Sequence, residues 1–169
     1  MKNALEQTEM DGLYLEFGVF KGETINEIAS LKQDKIIYGF DSFEGLPEDW
    51  QNGMPKGTFN VNGILPQVND NVRLIKGWFD ETLPDFLNEY KENCAFIHID
   101  SDLYSSTKIV FDALKERIVS GTVIVFDEYI NYLGWEKGEH KAFVELMQEK
   151  NLSCDYISCS VMQVAVKIK

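Results

Sequence analysis

Six carboxylates stand at or just beyond the ends of short apolar runs in this 169-residue chain: Glu16, Asp41, Asp100, Asp102, Asp127 and Glu128. Carboxylates brought close together repel and raise each other's pKa, so several of them on one edge call for a cation. Asp41 lies 25 residues after Glu16, near the spacing at which an acid grips ribose hydroxyls. One carboxylate can accept both protons of a vicinal diol. Asp100, Asp127 and Glu128 end adjacent apolar runs, and their oxygens suit one facial set for a hard divalent ion. Mg²⁺ favours that arrangement, with water or substrate oxygens completing the octahedron. Asp102 reads equally well as a helix cap or a solvated loop residue. His98 reads as a strand residue facing a helix and His140 as a helix residue near the cleft. Neither has zinc-ligand spacing.

The elements that must position these groups follow from the pattern of the chain. Tyr14-Leu-Glu-Phe-Gly-Val-Phe-Lys-Gly-Glu-Thr24 reads as a buried strand, a turn framed by Gly18 and Gly22, and a helix start. Glycine lets backbone approach a ligand closely, and the helix start offers free N–H groups and a positive dipole end. Continuous apolar runs predict strands at Leu13–Phe17, Ile36–Asp41, Val72–Lys76, Ala95–Asp100 and Thr122–Asp127, as in a parallel sheet covered on both faces. Helices are predicted at Thr24–Leu31, Leu83–Tyr90, Ser105–Ile118 and His140–Lys150, the third with Ile109, Val110, Ala113, Leu114 and Ile118 on one stripe. The runs Asp155–Cys159 and Met162–Lys169 lie too close together for a crossover helix and should pair antiparallel. The expected fold is therefore α/β: a Rossmann-like, doubly wound, mostly parallel seven-stranded sheet closing in a C-terminal antiparallel hairpin, as one domain over 1–169. The irregular stretch from Phe43 to Val72 leaves the second strand and is expected to be a flap over the ligand cleft or a surface insertion.

Composition narrows the function classes. A net charge of −12 repels a phosphate backbone, so nucleic acid is not an expected partner. No apolar run approaches the roughly 20 residues of a membrane span, and the segment Met1–Met10 is polar and acidic, unlike a secretory or transit signal. The three cysteines, Cys94, Cys154 and Cys159, form no C-x-x-C pair or disulfide framework, which fits a reducing cytoplasm. Aromatic residues within Ile130–Trp135 suit an acceptor pocket or a homodimer contact, while Tyr129 and Tyr132 read equally as core packing or pocket lining.

Together these residues make the chain resemble the class I S-adenosylmethionine-dependent methyltransferases, and more narrowly the macrocin O-methyltransferase family. The matching motifs are Glu16-Phe-Gly-Val-Phe-Lys-Gly22, Gly39-Phe-Asp-Ser-Phe-Glu-Gly-Leu-Pro47, Lys76-Gly-Trp-Phe-Asp-Glu-Thr-Leu-Pro84, His98-Ile-Asp-Ser-Asp-Leu-Tyr-Ser-Ser-Thr107 and Val125-Phe-Asp-Glu-Tyr129. The resemblance implies that Glu16, Phe17, Gly18 and Val19 line the methionine end of S-adenosylmethionine, with Thr24 nearby. It implies that Asp41 holds the ribose with Ser42 beside it, that Gly77, Trp78 and Phe79 flank the adenine, and that Asp100 and Ser101 lie near the sulfonium. It casts Asp100, Asp127 and Glu128 as a Mg²⁺ triad and Asp100 as general base. Two departures stand out: Glu128 replaces the second acid of the family's Asp-Asp pair, and Ser120-Gly121-Thr122 replaces its Pro-Gly-Gly turn. Family members acting on macrolide glycosides carry N-terminal helices that shape the acceptor pocket, whereas here the first strand starts at Leu13.

The implied chemistry is methyl transfer to a hydroxyl of a small polyhydroxylated acceptor such as a sugar, glycoside or catechol. Mg²⁺ chelating a vicinal diol lowers the hydroxyl's pKa, and Asp100 accepts its proton. Two other classes are weighed beside it. One is a module that binds S-adenosylmethionine without catalysis, or that assembles with a partner supplying the N-terminal helices. The other is a nicotinamide-dependent oxidoreductase, disfavoured by the G-x-x-x-G spacing and the terminal hairpin.

Overall fold

The computed structural model describes residues 1–50 and 53–169; Gln51 and Asn52, inside the predicted flap, lie outside the described residues. Seven strands form one sheet: β1 (Leu13–Phe17), β2 (Ile37–Asp41), β3 (Val72–Lys76), β4 (Cys94–Ile99), β5 (Val123–Phe126), β6 (Cys154–Cys159) and β7 (Val164–Ile168). Their order is β3-β2-β1-β4-β5-β7-β6. The first five pair in parallel, while β7 runs antiparallel to both β5 and β6. The strands and the terminal hairpin thus stand where the apolar runs predicted them, within a residue or two.

Every residue of β1, β4 and β5 is buried, which is why these strands read as unbroken apolar runs. Leu15, Phe17, Ile97, Ile99, Ile124 and Phe126 pack one face against α3 (Phe79–Glu89), α4 (Tyr104–Leu114) and α5 (Glu139–Lys150). Tyr14, Phe96 and Val125 pack the other against α2 (Glu23–Leu31) and α1 (Lys2–Glu6). The chain winds outward from β1 to β3 and then crosses back to β4 on the other side of β1. The strand order therefore reverses between β1 and β4, where ligands bind in open α/β sheets.

Several helix expectations need correction. The short helix α1 was not predicted; Ala4 and Leu5 bury its inner side. Helix α3 begins four residues before the predicted Leu83, with Pro84 inside it. Proline's fixed φ is helical, so it removes only one hydrogen bond there, and Asp80 and Glu81 suit the first turn's positive end. Helix α4 stops at Leu114, and its buried side is Ser106, Thr107, Val110, Phe111 and Leu114. Ile109 leaves the predicted stripe and is 38% exposed.

Candidate active site

The cleft begins at the end of β1. Gly18 has φ +96°, and a Cβ there would lie 1.8 Å from the Asp100 carbonyl oxygen, so only glycine allows the ends of β1 and β4 to meet this closely. Beyond it, the Val19 and Phe20 N–H groups both donate to Asp41 Oδ2 at 2.8 Å, and the Phe43 N–H donates to Oδ1 at 2.6 Å. The Gly77 N–H donates to the Asp41 carbonyl at 3.0 Å. Asp41 thus ties the glycine-rich turn to β2 and to the loop after β3, an organising role its spacing did not reveal.

A cavity of about 650 Å³ opens over these strand ends, within the usual range for small-molecule sites. Of the residues singled out from sequence, Gly18, Asp41, Ser42, Trp78, Phe79, Asp100, Ser101, Asp127 and Glu128 are on its wall. Glu16, Phe17, Val19, Thr24 and Gly77 are not; Glu16 and Phe17 are wholly buried. Phe17 stacks on Phe40 and meets the edge of Phe79. Glu16 Oε1 lies 2.9 Å from His98 Nδ1 across the β1–β4 register, so His98 has a buried carboxylate partner. Burial pushes the Glu16 carboxyl up. For His98, burial acts downward, but the bond and charge of Glu16 outweigh it and the ring's pKa ends raised.

Leu46, Pro47, Glu48 and Phe59 bring the loop after β2 onto the cavity wall, as expected of a flap. The rings of Phe59 and Phe20 meet edge to face at 5.5 Å. The Ser105 hydroxyl donates to Glu48 Oε1 at 2.5 Å, and Trp50 meets Tyr132 edge-on. Tyr129 is core packing, 2% exposed among Phe126, Phe143 and His140.

The acid cluster differs in one member from the sequence-based triad. Asp100, Asp102 and Glu128 each offer a carboxylate oxygen, all within 4.8 Å of one another. Asp127 is not in that set; its Oδ1 accepts a hydrogen bond from Gln163 Nε2, which holds it at the rim. Asp102 enters because it turns the backbone with φ +61°, while the Leu103 N–H donates to the Ser101 carbonyl at 2.6 Å. Such a turn is rare and strained for a non-glycine residue. Burial, with the neighbouring acids, pushes the Asp100 carboxyl up to about 7 against the downward pull of His98. Burial and the charge of Asp127 push Asp102 up to about 7 as well. Glu128 is raised by burial first, then by Glu139, Asp102, Asp127 and Asp100. Its Oε2 is buried with no hydrogen-bond partner among the described residues.

Sequence reasoning missed Glu139. It is wholly buried, and its oxygens accept from the Ser101 N–H at 3.4 Å and the Glu128 N–H at 3.3 Å. In sequence it looks like any acid in the first turn of a helix.

A macrocin O-methyltransferase (TylF) family model matches residues 1–165. The chain belongs to the macrocin O-methyltransferase family. Among curated relatives, a tetracenomycin rhamnosyl 4'-O-methyltransferase of Streptomyces olivaceus is 31% identical, over 55% of this chain and 41% of that one. The chain spans between 41% and 61% of the length of the curated relatives it matches. Among solved structures, the calicheamicin methyltransferase CalS11 superposes with a TM-score of 0.79 at 23% identity, over 97% of this chain and 75% of that one. MycE, from the mycinamycin pathway, in complex with Mg and SAH, gives 0.64 at 14% identity, over 99% and 47%. These likenesses establish a methyltransferase fold.

One sequence feature of nicotinamide oxidoreductases, a Tyr-x-x-x-Lys spacing, does occur, at Tyr104 and Lys108. The Tyr104 hydroxyl donates to Glu145 Oε2 at 2.8 Å and Lys108 pairs with Asp112. Neither side chain is on the cavity wall, so this spacing gives no support to hydride chemistry.

Proposed function

We propose that this chain carries the catalytic centre of an S-adenosylmethionine-dependent, Mg²⁺-assisted O-methyltransferase acting on a hydroxyl of a small polyhydroxylated acceptor. One observation carries the reading: a single cavity joins the Gly18–Asp41 turn to the Asp100, Asp102 and Glu128 carboxylates. The donor set fits a hard divalent ion, being all oxygen and crowded enough to raise every member's pKa. The unpartnered Glu128 Oε2 has an open lone pair for such an ion. MycE, similar in fold, holds Mg and SAH, and the tetracenomycin relative is named for methylating a rhamnosyl unit.

In this reading Asp100, Asp102 and Glu128 hold the ion, with Asp127 beside them. Bound there, it lowers the pKa of a hydroxyl that it touches. S-adenosylmethionine supplies the methyl group, and Gly18, Asp41, Ser42, Trp78 and Phe79 are the residues that hold it. Asp100, at the cavity end of β4, is the carboxylate placed to accept the acceptor's proton. The flap excludes water and aligns the reactants.

No Lys, Arg or His is among the described wall residues, whereas Asp41, Glu48, Asp80, Glu81, Asp100, Asp102, Asp127 and Glu128 all are. Neutral or cationic acceptors fit that wall better than phosphorylated ones. The test is a radiolabelled methyl-transfer screen over free sugars, glycosides, catechols and sugar nucleotides, with and without Mg²⁺. Transfer to a neutral diol, abolished by EDTA and restored by Mg²⁺, is expected. Asp102→Ala and Glu128→Ala should each cut kcat/KM by about 100-fold or more. Full turnover in EDTA would remove the ion from the mechanism.

A further inference from the structure

Glu139 does not reach the cavity wall, yet its side chain joins the two loops that carry the acid cluster. Ser101 sits between Asp100 and Asp102, and Glu128 follows Asp127 at the end of β5. One carboxylate oxygen accepts the N–H of the first loop and the other that of the second. Burial, with the charges of Asp100 and Asp102, pushes the pKa of this wholly buried group well above the usual carboxylate range. Burying a carboxyl group costs more than burying an apolar side chain of the same size. What glutamate adds is a pair of acceptors for two backbone N–H groups that burial would leave unpaired.

The depth of Glu139 is itself set. It opens α5 directly after Gly138, where a Cβ would lie 2.3 Å from the Tyr132 hydroxyl oxygen. The helix start is thereby pressed against Tyr132, and the carboxylate is carried beneath both loops.

We infer that Glu139 is a positioning residue, a strut that fixes the separation of the β4 and β5 loops and hence of Asp100 and Asp102 from Glu128. It sets where the Glu128 side chain departs from the end of β5. The inference rests on the proposed reading of Asp100, Asp102 and Glu128 as the Mg²⁺ set. Outer residues that orient ligands commonly alter ion affinity by about 10- to 100-fold when replaced.

The strut is tested first without any metal, by NMR-detected hydrogen exchange at the Ser101 and Glu128 amides. In Glu139→Ala both should exchange at least about 10-fold faster, while amides in the middle of α5 keep their wild-type rates. Glu139→Gln, which keeps one acceptor but turns an N–H toward the other loop, should release one amide more than the other. It also serves if the alanine variant does not fold. Calorimetry then follows Mg²⁺ binding to protein saturated with S-adenosylhomocysteine. Mg²⁺ affinity should fall about 10-fold in Glu139→Gln and further in Glu139→Ala, with S-adenosylhomocysteine affinity within about 2-fold of wild type. Wild-type exchange at both amides in the folded alanine variant overturns the strut. Faster exchange with unchanged Mg²⁺ affinity overturns its role toward the ion. If wild-type protein takes up no Mg²⁺, the functional reading fails, while the exchange result still decides the strut.

Discussion

Asp41 shows how a single side chain can serve two purposes. Its carboxylate already accepts three backbone N–H groups from two segments, yet it remains on the cavity wall. Asp41→Asn should therefore loosen the turn and, on the proposed reading, also remove a cofactor contact. The expected loss of S-adenosylhomocysteine affinity is about 10- to 100-fold, the scale of one or two charge-assisted hydrogen bonds, and calorimetry measures it directly. An unchanged affinity would leave Asp41 with the structural role alone. At this scale the sequence was legible for residue types and less so for aim. Asp100, Glu128 and Asp41 could be placed at strand ends from the apolar runs before them. That Asp102, and not Asp127, lies within 4.8 Å of both Asp100 and Glu128 could not be foreseen, because it depends on a left-handed turn at Asp102 and on Gln163, which reaches Asp127 from the turn of the terminal hairpin. Glu139 was hidden for the same reason: its partners lie 38 and 11 residues away.

Among the elements, the parallel strands were the easiest to read, since full burial leaves no polar alternation to confuse the pattern. The helices were harder. Helix α1 has only five residues, too few to show a period, and Pro84 disguised the first turn of α3. Ile109 matched the apolar stripe of α4 but lines the cavity instead, because a helix facing a cleft carries apolar residues on more than its core side. The described residues of the loop after β2 fold back on one another and reach the cavity wall. The Leu46 N–H donates to the Thr58 carbonyl and the Gly63 N–H to the Phe43 carbonyl, at 2.9 and 2.8 Å. Phe59 sits at its contact with the glycine-rich turn. An aromatic pair of this kind contributes about 0.5–1.5 kcal/mol. Phe59→Ala should accordingly weaken S-adenosylhomocysteine binding by about 3- to 10-fold, mostly through faster release, as stopped-flow fluorescence would show. A wild-type release rate would mean that the flap does not retain the cofactor.

For the molecule as a whole, the acid cluster couples stability to pH. Asp100 and Asp102 are raised from 3.8 to about 7 in the fold. Between those values the folded chain holds protons that the unfolded chain has released, so stability falls as pH rises through that window. The Tm of metal-free protein should drop between about pH 5 and about pH 8, and Mg²⁺ should raise it more at the higher pH, where the carboxylates are ionised and bind the ion best. Differential scanning calorimetry checks both; a Tm that does not fall would mean the three carboxylates are not crowded in solution. No helix is long and apolar enough to cross a membrane among the described residues. The order of the sheet carries one more consequence. On the side away from β4, β5 is flanked by β7, which follows β6 in sequence, and synthesis on the ribosome proceeds from the N-terminus. A nascent chain whose first five strands have emerged therefore shows β5 as a naked rim, open to mispairing, and lacks the glutamine that steadies Asp127. That side of the cavity is finished only when β7 slides in between β5 and β6, so all seven strands must have left the ribosome before Asp127 meets its partner.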